Sequence, residues 1–175
     1  SYTDFDSLAR LWLNHKTDYQ PLVDFAKENE IDFIAANIPR RFASLVYKNG
    51  FEKLERLTEQ EKEWIAPLPV PYDPELPGYK AMLTMMSDHA NPNFPKAQAI
   101  KDATMAHFIV KHVKKHEKQF IHFNGAYHSK NYEGIYWYIN QYQPNLTIGT
   151  ITTVLQDKVT KLMDENKGLA DYILV

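Results

Sequence analysis

The stretch KAQAIKDATMAHFIVKHVKKHEKQFIHFNGAYHS, residues 96–129, decides the fold class. Its first part, residues 96–116, repeats apolar side chains at spacings of three and four, which predicts a long helix with one packed side. The short aromatic run FIHFN follows and ends in the turn signal Asn124-Gly125, which is typical of a buried strand. Helices that alternate with buried strands build parallel sheets. The stretch therefore indicates an α/β protein.

The same alternation extends in both directions along the chain. Strands are predicted near residues 32–36, 119–124, 146–153 and 171–175. Helices are predicted in the stretches 4–15, 20–30, 39–50, 96–116, 131–142 and 156–168. Four apolar strands separated by helices predict a mostly parallel sheet with helices on both faces.

A helical insertion at about residues 51–95 interrupts this alternation. The run TEQE at Thr58–Glu61 fits a helix capping box. The proline-rich run at 65–78 excludes regular structure, because proline donates no backbone hydrogen bond. The run GYKAMLTMMSDHA then predicts a short helix rich in methionine. We expect a single domain over residues 1–175 that contains this insertion.

Composition restricts the classes of protein and of partner. The chain has 175 residues, which is enough for one domain with a core. Its net charge is −2, so no overall positive field would attract nucleic acid or an anionic membrane. No apolar run approaches the roughly 20 residues that cross a bilayer. Cysteine is absent, which excludes disulfides and thiolate ligands. The first residues, SYTDFDSL, contain neither an initiator methionine nor a signal peptide, and the last residues, ADYILV, end without a turn. We therefore expect a fragment of a longer protein.

The run NIPRR stands where a predicted strand gives way to a helix. Asn37, Arg40 and Arg41 there could bind a carboxylate or phosphate, because a helix N-terminus is electropositive. The alternative is that Asn37 caps the helix while both arginines face solvent.

Two polar side chains border the packed side of the long helix. Gln98 and Asp102 are four residues apart and therefore neighbours. Asp102 could orient a ligand or a histidine, or it could be a boundary residue paired with a lysine. His128, three residues after Gly125, lies at the rim of a ligand crevice if the strand ends there, or is an ordinary loop histidine. Because parallel strands end at one edge of the sheet, we expect Asn37, Arg40, Gly125 and His128 to share one crevice.

The insertion carries residue types that can ligate haem iron. Tyr79, Met82, Met86 and His89 lie close together in the sequence, and Tyr, His and Met all serve as axial haem ligands. The alternative is an amphipathic helix whose methionines fill gaps in a core.

Several blocks in the same order resemble one known family. They are AANIPRR at 35–41, AQAIKDATMA at 97–106, FNGAYHS at 123–129 and EGIYWYI at 133–139. The chain resembles the ChaN-type haem-binding family, which is grouped with the Tiki-like proteins. The resemblance implies an exported protein of the cell envelope, often lipid-anchored, that binds haem and serves iron acquisition. It also implies an α/β core with a helical insertion.

Under this resemblance we expect haem, or a related small molecule, to bind at the insertion. Tyr79 is the first choice as iron ligand, because a phenolate neutralises ferric iron, and His89 is the second. Met82 and Met86 would line the apolar slot that holds the ring. Arg40 and Arg41 would bind the propionates. We expect a second copy of the chain as a partner, and no nucleic acid.

The alternative function is a metal-dependent hydrolase, since some Tiki-like proteins have that activity. Their signature includes a Gly-x-x-His, matched here by Gly125 and His128, and His128 would then ligate a divalent metal. The family pattern also begins with a strand that carries Gly-Glu-x-His, which this sequence lacks. We therefore expect a complete metal site only in the full-length protein. A third interpretation is a scaffold without a working site.

Overall fold

The computed structural model describes residues 11–85, 91–116 and 119–175, with the backbone alone at residues 115 and 116. The chain divides into two compact units, residues 1–35 and 36–175. The described helices and strands are α1 (Gln20–Glu28), α2 (Arg40–Asn49), α3 (Glu59–Lys62), α4 (Pro77–Thr84), α5 (Phe94–His116), α6 (Ile135–Tyr142), β1 (Ile151–Thr153) and β2 (Tyr172–Leu174).

The first unit contains one turn of π-helix, His15–Tyr19, which leads directly into α1. Pro21 lies in the first turn of α1, where its missing N–H costs nothing. The helix predicted at 4–15 lies mostly outside the described residues, and residues 11–14 are not helical.

In the second unit, helix α5 is central and packs against α2, α4 and α6. It matches the helix predicted from residue 96 and begins two residues earlier. Its fully buried alanines at positions 99, 103 and 106 let neighbouring elements approach closely. One core lies among α4, α5 and α6, and another lies where α2 and residues 51–70 meet α5.

The predicted sheet is only partly present. Strands β1 and β2 pair in parallel, with Ile151 opposite Tyr172, as predicted for the last two strands. The prediction of strands at 32–36 and 119–124 was wrong, since neither stretch joins a ladder within the described residues. Residues 119–124 keep a strand-like alternation, but Ile121 and Phe123 are 70% and 61% exposed. An alternating run forms a strand only when another strand satisfies its backbone groups.

The architecture is therefore mainly helical with a two-stranded parallel sheet, rather than a mostly parallel sheet covered on both faces. The helix predicted at 156–168 was also wrong, because only the single 3₁₀ turn Asp164–Asn166 forms there. Within the described residues, no helix combines the length and the apolar character that crossing a membrane requires.

The proline-rich part of the insertion is held by side chains instead of a backbone ladder. The predicted capping box is confirmed: Thr58 and Glu61 bond each other's backbone N–H at the start of α3. The buried Thr104 hydroxyl accepts a hydrogen bond from the backbone N–H of Ala66 at 3.1 Å. The Tyr138 hydroxyl donates to the carbonyl of Pro71 at 2.6 Å. These bonds fix the insertion against α5 and α6.

Candidate functional site

A buried carboxylate on α5 holds the histidine that follows residues 119–124. Asp102 is fully buried, and its Oδ1 lies 2.5 Å from Nδ1 of His128. The imidazole reaches it from a 3₁₀ turn, Ala126–His128, and its side chain is 21% exposed. Of the roles that the sequence left open for Asp102, the structure shows the one in which it orients a histidine.

Two further side chains complete this cluster. The Tyr79 hydroxyl of α4 donates to Oδ2 of Asp102 at 3.1 Å, so both carboxylate oxygens have partners. The Gln98 side-chain nitrogen lies 2.8 Å from Nδ1 of His128, one helical turn before Asp102. The cluster Tyr79–Gln98–Asp102–His128 thus joins α4, α5 and the 126–128 turn.

Burial controls the protonation of this cluster. Burial raises the pKa of Asp102 to about 6, although hydrogen bonds from His128 and Tyr79 favour the charged carboxylate. Burial, followed by the nearby Asp102 charge, raises the pKa of Tyr79 far above its usual range. Tyr79 therefore remains a neutral phenol that donates a hydrogen bond.

The backbone beside the cluster adopts unusual conformations. Gly134 has a φ of +55°, and a Cβ there would lie 2.4 Å from the carbonyl oxygen of His128. Asn131 and Tyr132 also have positive φ, at 61° and 59°. Such strained residues tend to gather at functional sites. Gly125 has an ordinary φ of −66° and nothing within 4 Å of its Cβ position, so the backbone there does not require a glycine.

A second carboxylate attaches α4 to this segment. Oε2 of Glu133 accepts a hydrogen bond from the backbone N–H of Gly78 at 2.6 Å, in the first turn of α4. The space enclosed between α4 and residues 127–134 is about 20 Å³. That is room for about one water molecule.

The predicted site residues of the NIPRR run are exposed. Asn37 is exposed and accepts a hydrogen bond from the N–H of Ile38. Arg40 is exposed, and Arg41 lies over the rings of Phe42 and Trp64, 3.8 Å from Glu61.

In the insertion, Met82 is buried in the core cluster that also contains Tyr79. Met86 and His89 lie outside the described residues. The roles predicted for these residues in binding haem stay predictions.

His122 is a residue that the sequence analysis missed. Its Nε2 atom is buried without a hydrogen-bond partner among the described residues. Burial, with a smaller effect of His128, lowers the pKa of His122 to about 4. The alternation in FIHFN carried the signal, because it places His122 on the same side as the half-buried Phe120.

The whole cluster lies inside the segment that a family model matches. The model, described as haem-binding uptake, Tiki superfamily, ChaN, matches residues 1–139. The chain belongs to this ChaN family. No curated protein and no solved structure gave a match. The match to the ChaN family includes α1 to α5, most of α6 and the 126–128 turn, whereas β1 and β2 lie beyond it.

Proposed function

We propose that this ChaN-family chain binds haem at the cell envelope and serves iron acquisition. The observation that carries the proposal is the family match over residues 1–139, because the family is one of haem-binding uptake proteins. Haem needs an iron ligand, an apolar wall and cations for its two propionates. Haem is the cargo in this function, and the chain supplies the groups that hold it.

The surroundings of Tyr79 bear on where haem binds. A phenolate ligand requires Tyr79 to lose its proton, whereas burial and Asp102 raise its pKa far above the usual range. Its hydroxyl is already bonded to Asp102, and the adjoining space is about 20 Å³. A tetrapyrrole would bind there only if α4 moved away from α5. Ligation of haem by Tyr79 therefore stays a prediction, which the described conformation does not favour.

Haemin titration followed by absorbance tests the proposed function. We expect the wild-type chain to bind one haemin with a Soret band distinct from that of free haemin. A titration that shows only the spectrum of free haemin would contradict haem binding. The envelope role is tested separately, by fractionating cells that express the full-length protein and by growing a deletion strain on haemin as the sole iron source. Light scattering tests the expected second copy of the chain.

A metal-dependent hydrolase is the second candidate, and the Asp102–His128 pair favours it. A carboxylate that accepts the Nδ1–H of an imidazole leaves the lone pair of Nε2 for a metal, which is the usual arrangement around metal-bound histidine. In this structure the Gln98 side-chain nitrogen lies 3.5 Å from that Nε2 and would have to give way to a metal. However, no three His, Asp or Glu side chains form a metal-binding group in the part of the chain that the structure describes. The described residues thus supply one oriented ligand and do not fit a complete metal site.

Metal analysis separates the two candidates. We expect the purified chain to retain no stoichiometric zinc, iron or manganese after dialysis. Stoichiometric metal that disappears in His128→Ala would favour the hydrolase, particularly if Asp102→Asn weakened binding by roughly 10- to 100-fold.

A further inference from the structure

The chain contains two Asn-Gly pairs, and the structure gives them opposite surroundings. One is Asn49-Gly50 at the end of α2, and the other is Asn124-Gly125 directly before the turn Ala126–His128. Asparagine is a thermolabile residue. A following glycine makes it more so, because glycine has no side chain to keep its backbone nitrogen away from the asparagine amide. The local backbone then decides whether a given pair reacts.

The pair Asn49-Gly50 is protected by its helix. Asn49 is the last residue of α2, and the backbone N–H of Gly50 donates to the carbonyl of Val46 at 2.8 Å. Gly50 is buried, and the Asn49 side chain donates to the carbonyl of Leu45 at 3.2 Å. An attack by the Gly50 nitrogen would break the hydrogen bond that ends the helix and would leave a buried carbonyl without its donor. We therefore expect this pair to be inert in the folded chain.

The pair Asn124-Gly125 has none of this protection. Gly125 is exposed, and its backbone N–H donates to no acceptor among the described residues. Nothing lies within 4 Å of the position that a Cβ would take at Gly125, so a new ring meets no neighbour there. The Asn124 side-chain nitrogen donates to the carbonyl of Gly125 and to the hydroxyl of Ser129, both at 2.9 Å. These bonds hold the amide alongside the Gly125 peptide.

We propose that Asn124 is a site of spontaneous deamidation that detaches the turn carrying His128. The backbone nitrogen of Gly125 attacks Cγ of Asn124, so the N–Cγ bond forms and the Cγ–Nδ2 bond breaks. Nδ2 leaves as ammonia, with the proton that the Gly125 nitrogen loses, and a succinimide ring remains. Water then opens the ring at one of its two carbonyls. The products are aspartate with the original backbone and isoaspartate with the chain routed through Cγ.

The effect on the turn follows from the bonds that the amide makes. Its donations to Gly125 and Ser129 tie the end of the run 119–124 to the turn that follows. A carboxylate has no hydrogen to donate, so both bonds are lost in either product. In isoaspartate the backbone also gains one carbon, which lengthens it by about 1.5 Å. The turn that brings His128 to Asp102 therefore becomes less firmly held.

Peptide mapping of the full chain tests the site. The folded chain is incubated at pH 8, sampled over time and analysed by mass spectrometry, with isoaspartyl methyltransferase to measure isoaspartate. We expect Asn124 to convert at least tenfold faster than Asn49. In concentrated urea the two residues should convert at similar rates, because the dipeptide is the same and the protecting helix is gone.

Two variants separate the chemistry from its effect. Gly125→Ala should keep the fold, because φ is ordinary and the new Cβ meets nothing, while its methyl group hinders ring closure. Conversion of Asn124 in this variant should be at least tenfold slower, with Asn49 unchanged. Asn124→Asp supplies the carboxylate on an unaltered backbone. Amide exchange at residues 126–129 should become at least threefold faster in Asn124→Asp, whereas exchange in α2 should not change.

The outcomes bear on the two halves of the proposal separately. Equal conversion of Asn124 and Asn49 in the folded chain would overturn the site, because reaction from the unfolded chain affects both pairs alike. An Asn124 that stays intact would also overturn it. Conversion of Asn124 with unchanged exchange in Asn124→Asp and in the isoaspartate product would overturn the effect on the turn, while the site itself stood.

Discussion

Nδ1 of His128 lies 2.5 Å from Oδ1 of Asp102, and this contact joins a surface turn to the middle of the central helix α5. The second carboxylate oxygen accepts the hydroxyl of Tyr79 on α4. One buried side chain therefore holds three separate parts of the fold. Loss of the Asp102 carboxylate would therefore affect both the packing of α4 and the orientation of His128.

Removal of the Asp102 carboxylate should destabilise the fold. Asp102→Ala leaves the Tyr79 hydroxyl and the His128 ring without their partner in a buried setting. We expect the free energy of unfolding to fall by about 3 kcal/mol, as for other broken buried pairs. Urea denaturation measures it. Asp157→Asn, at an exposed position, is the control and should change stability by less than about 0.5 kcal/mol. An equally small effect of Asp102→Ala would contradict the structural role.

The pH dependence of stability should carry the signature of His122. Its folded pKa of about 4 lies below the ordinary 6.5, so the unfolded chain takes up the proton first. The contribution of neutral His122 is therefore fully present above pH 6.5 and is lost as the pH falls through 4. His122→Leu should remove a slope of at most about 1.4 kcal/mol per pH unit between these values.

Urea titrations at pH 8, 6.5 and 5 measure that slope. His122→Leu should gain stability over wild type as the pH falls, whereas Phe120→Leu, on the same side of the run, should give an offset independent of pH. Parallel pH profiles for wild type and His122→Leu would show that His122 is not buried as described.

Asp102 should give the opposite pH effect. Its folded pKa of about 6 lies above the ordinary 3.8, so the folded chain keeps this proton longer than the unfolded chain does. The contribution is fully present below pH 3.8 and is lost as the pH rises through 6. In Asp102→Asn the stability between pH 4 and 6 should therefore fall more steeply on acidification than in wild type. The same denaturation series measures it, and an unchanged slope would count against the raised pKa.

The glycine before α6 should tolerate no side chain. Gly134→Ala forces an alanine to a φ of +55° with its Cβ 2.4 Å from a backbone oxygen, so we expect a loss of about 2–3 kcal/mol. Gly125→Ala is the matched control, because its φ is ordinary and nothing lies within 4 Å of the new Cβ. The control should be neutral or slightly stabilising in thermal denaturation. Equal effects of the two substitutions would refute the described backbone at Gly134.

Glu133 should hold α4 in place. Glu133→Ala removes the acceptor of the Gly78 N–H, a bond to a charged group that contributes about 1.5–3 kcal/mol. Amide exchange in α4 should become at least tenfold faster. Glu75→Ala is the control, since Glu75 also contacts α4, through an exposed ion pair with Lys80 that should contribute little. Unchanged exchange in Glu133→Ala would show that other contacts hold α4.

Local signals predicted several helix ends, although the helix predicted at 156–168 does not form. Pro21 lies in the first turn of α1 and Gly50 directly after α2, which agrees with the helices predicted at 20–30 and 39–50. The predicted capping box begins α3. These effects act within one helical turn. The strand predictions at 32–36 and 119–124 were wrong, because a strand depends on a partner that no local pattern specifies.

One part of the candidate site was predictable from local sequence, and the other part depends on tertiary structure. The sequence alone determined that Gln98 and Asp102 are neighbours on α5, since four residues make about one helical turn. Only the tertiary structure decided that His128, 26 residues later, meets Asp102, and that α4 brings Tyr79 to the same carboxylate. The edge contact between the rings of His107 on α5 and Tyr142 on α6 likewise depends on tertiary packing. The physical reason is desolvation: the pKa values of Asp102, Tyr79 and His122 depart from their ordinary values mainly through burial, which is a property of the packed fold.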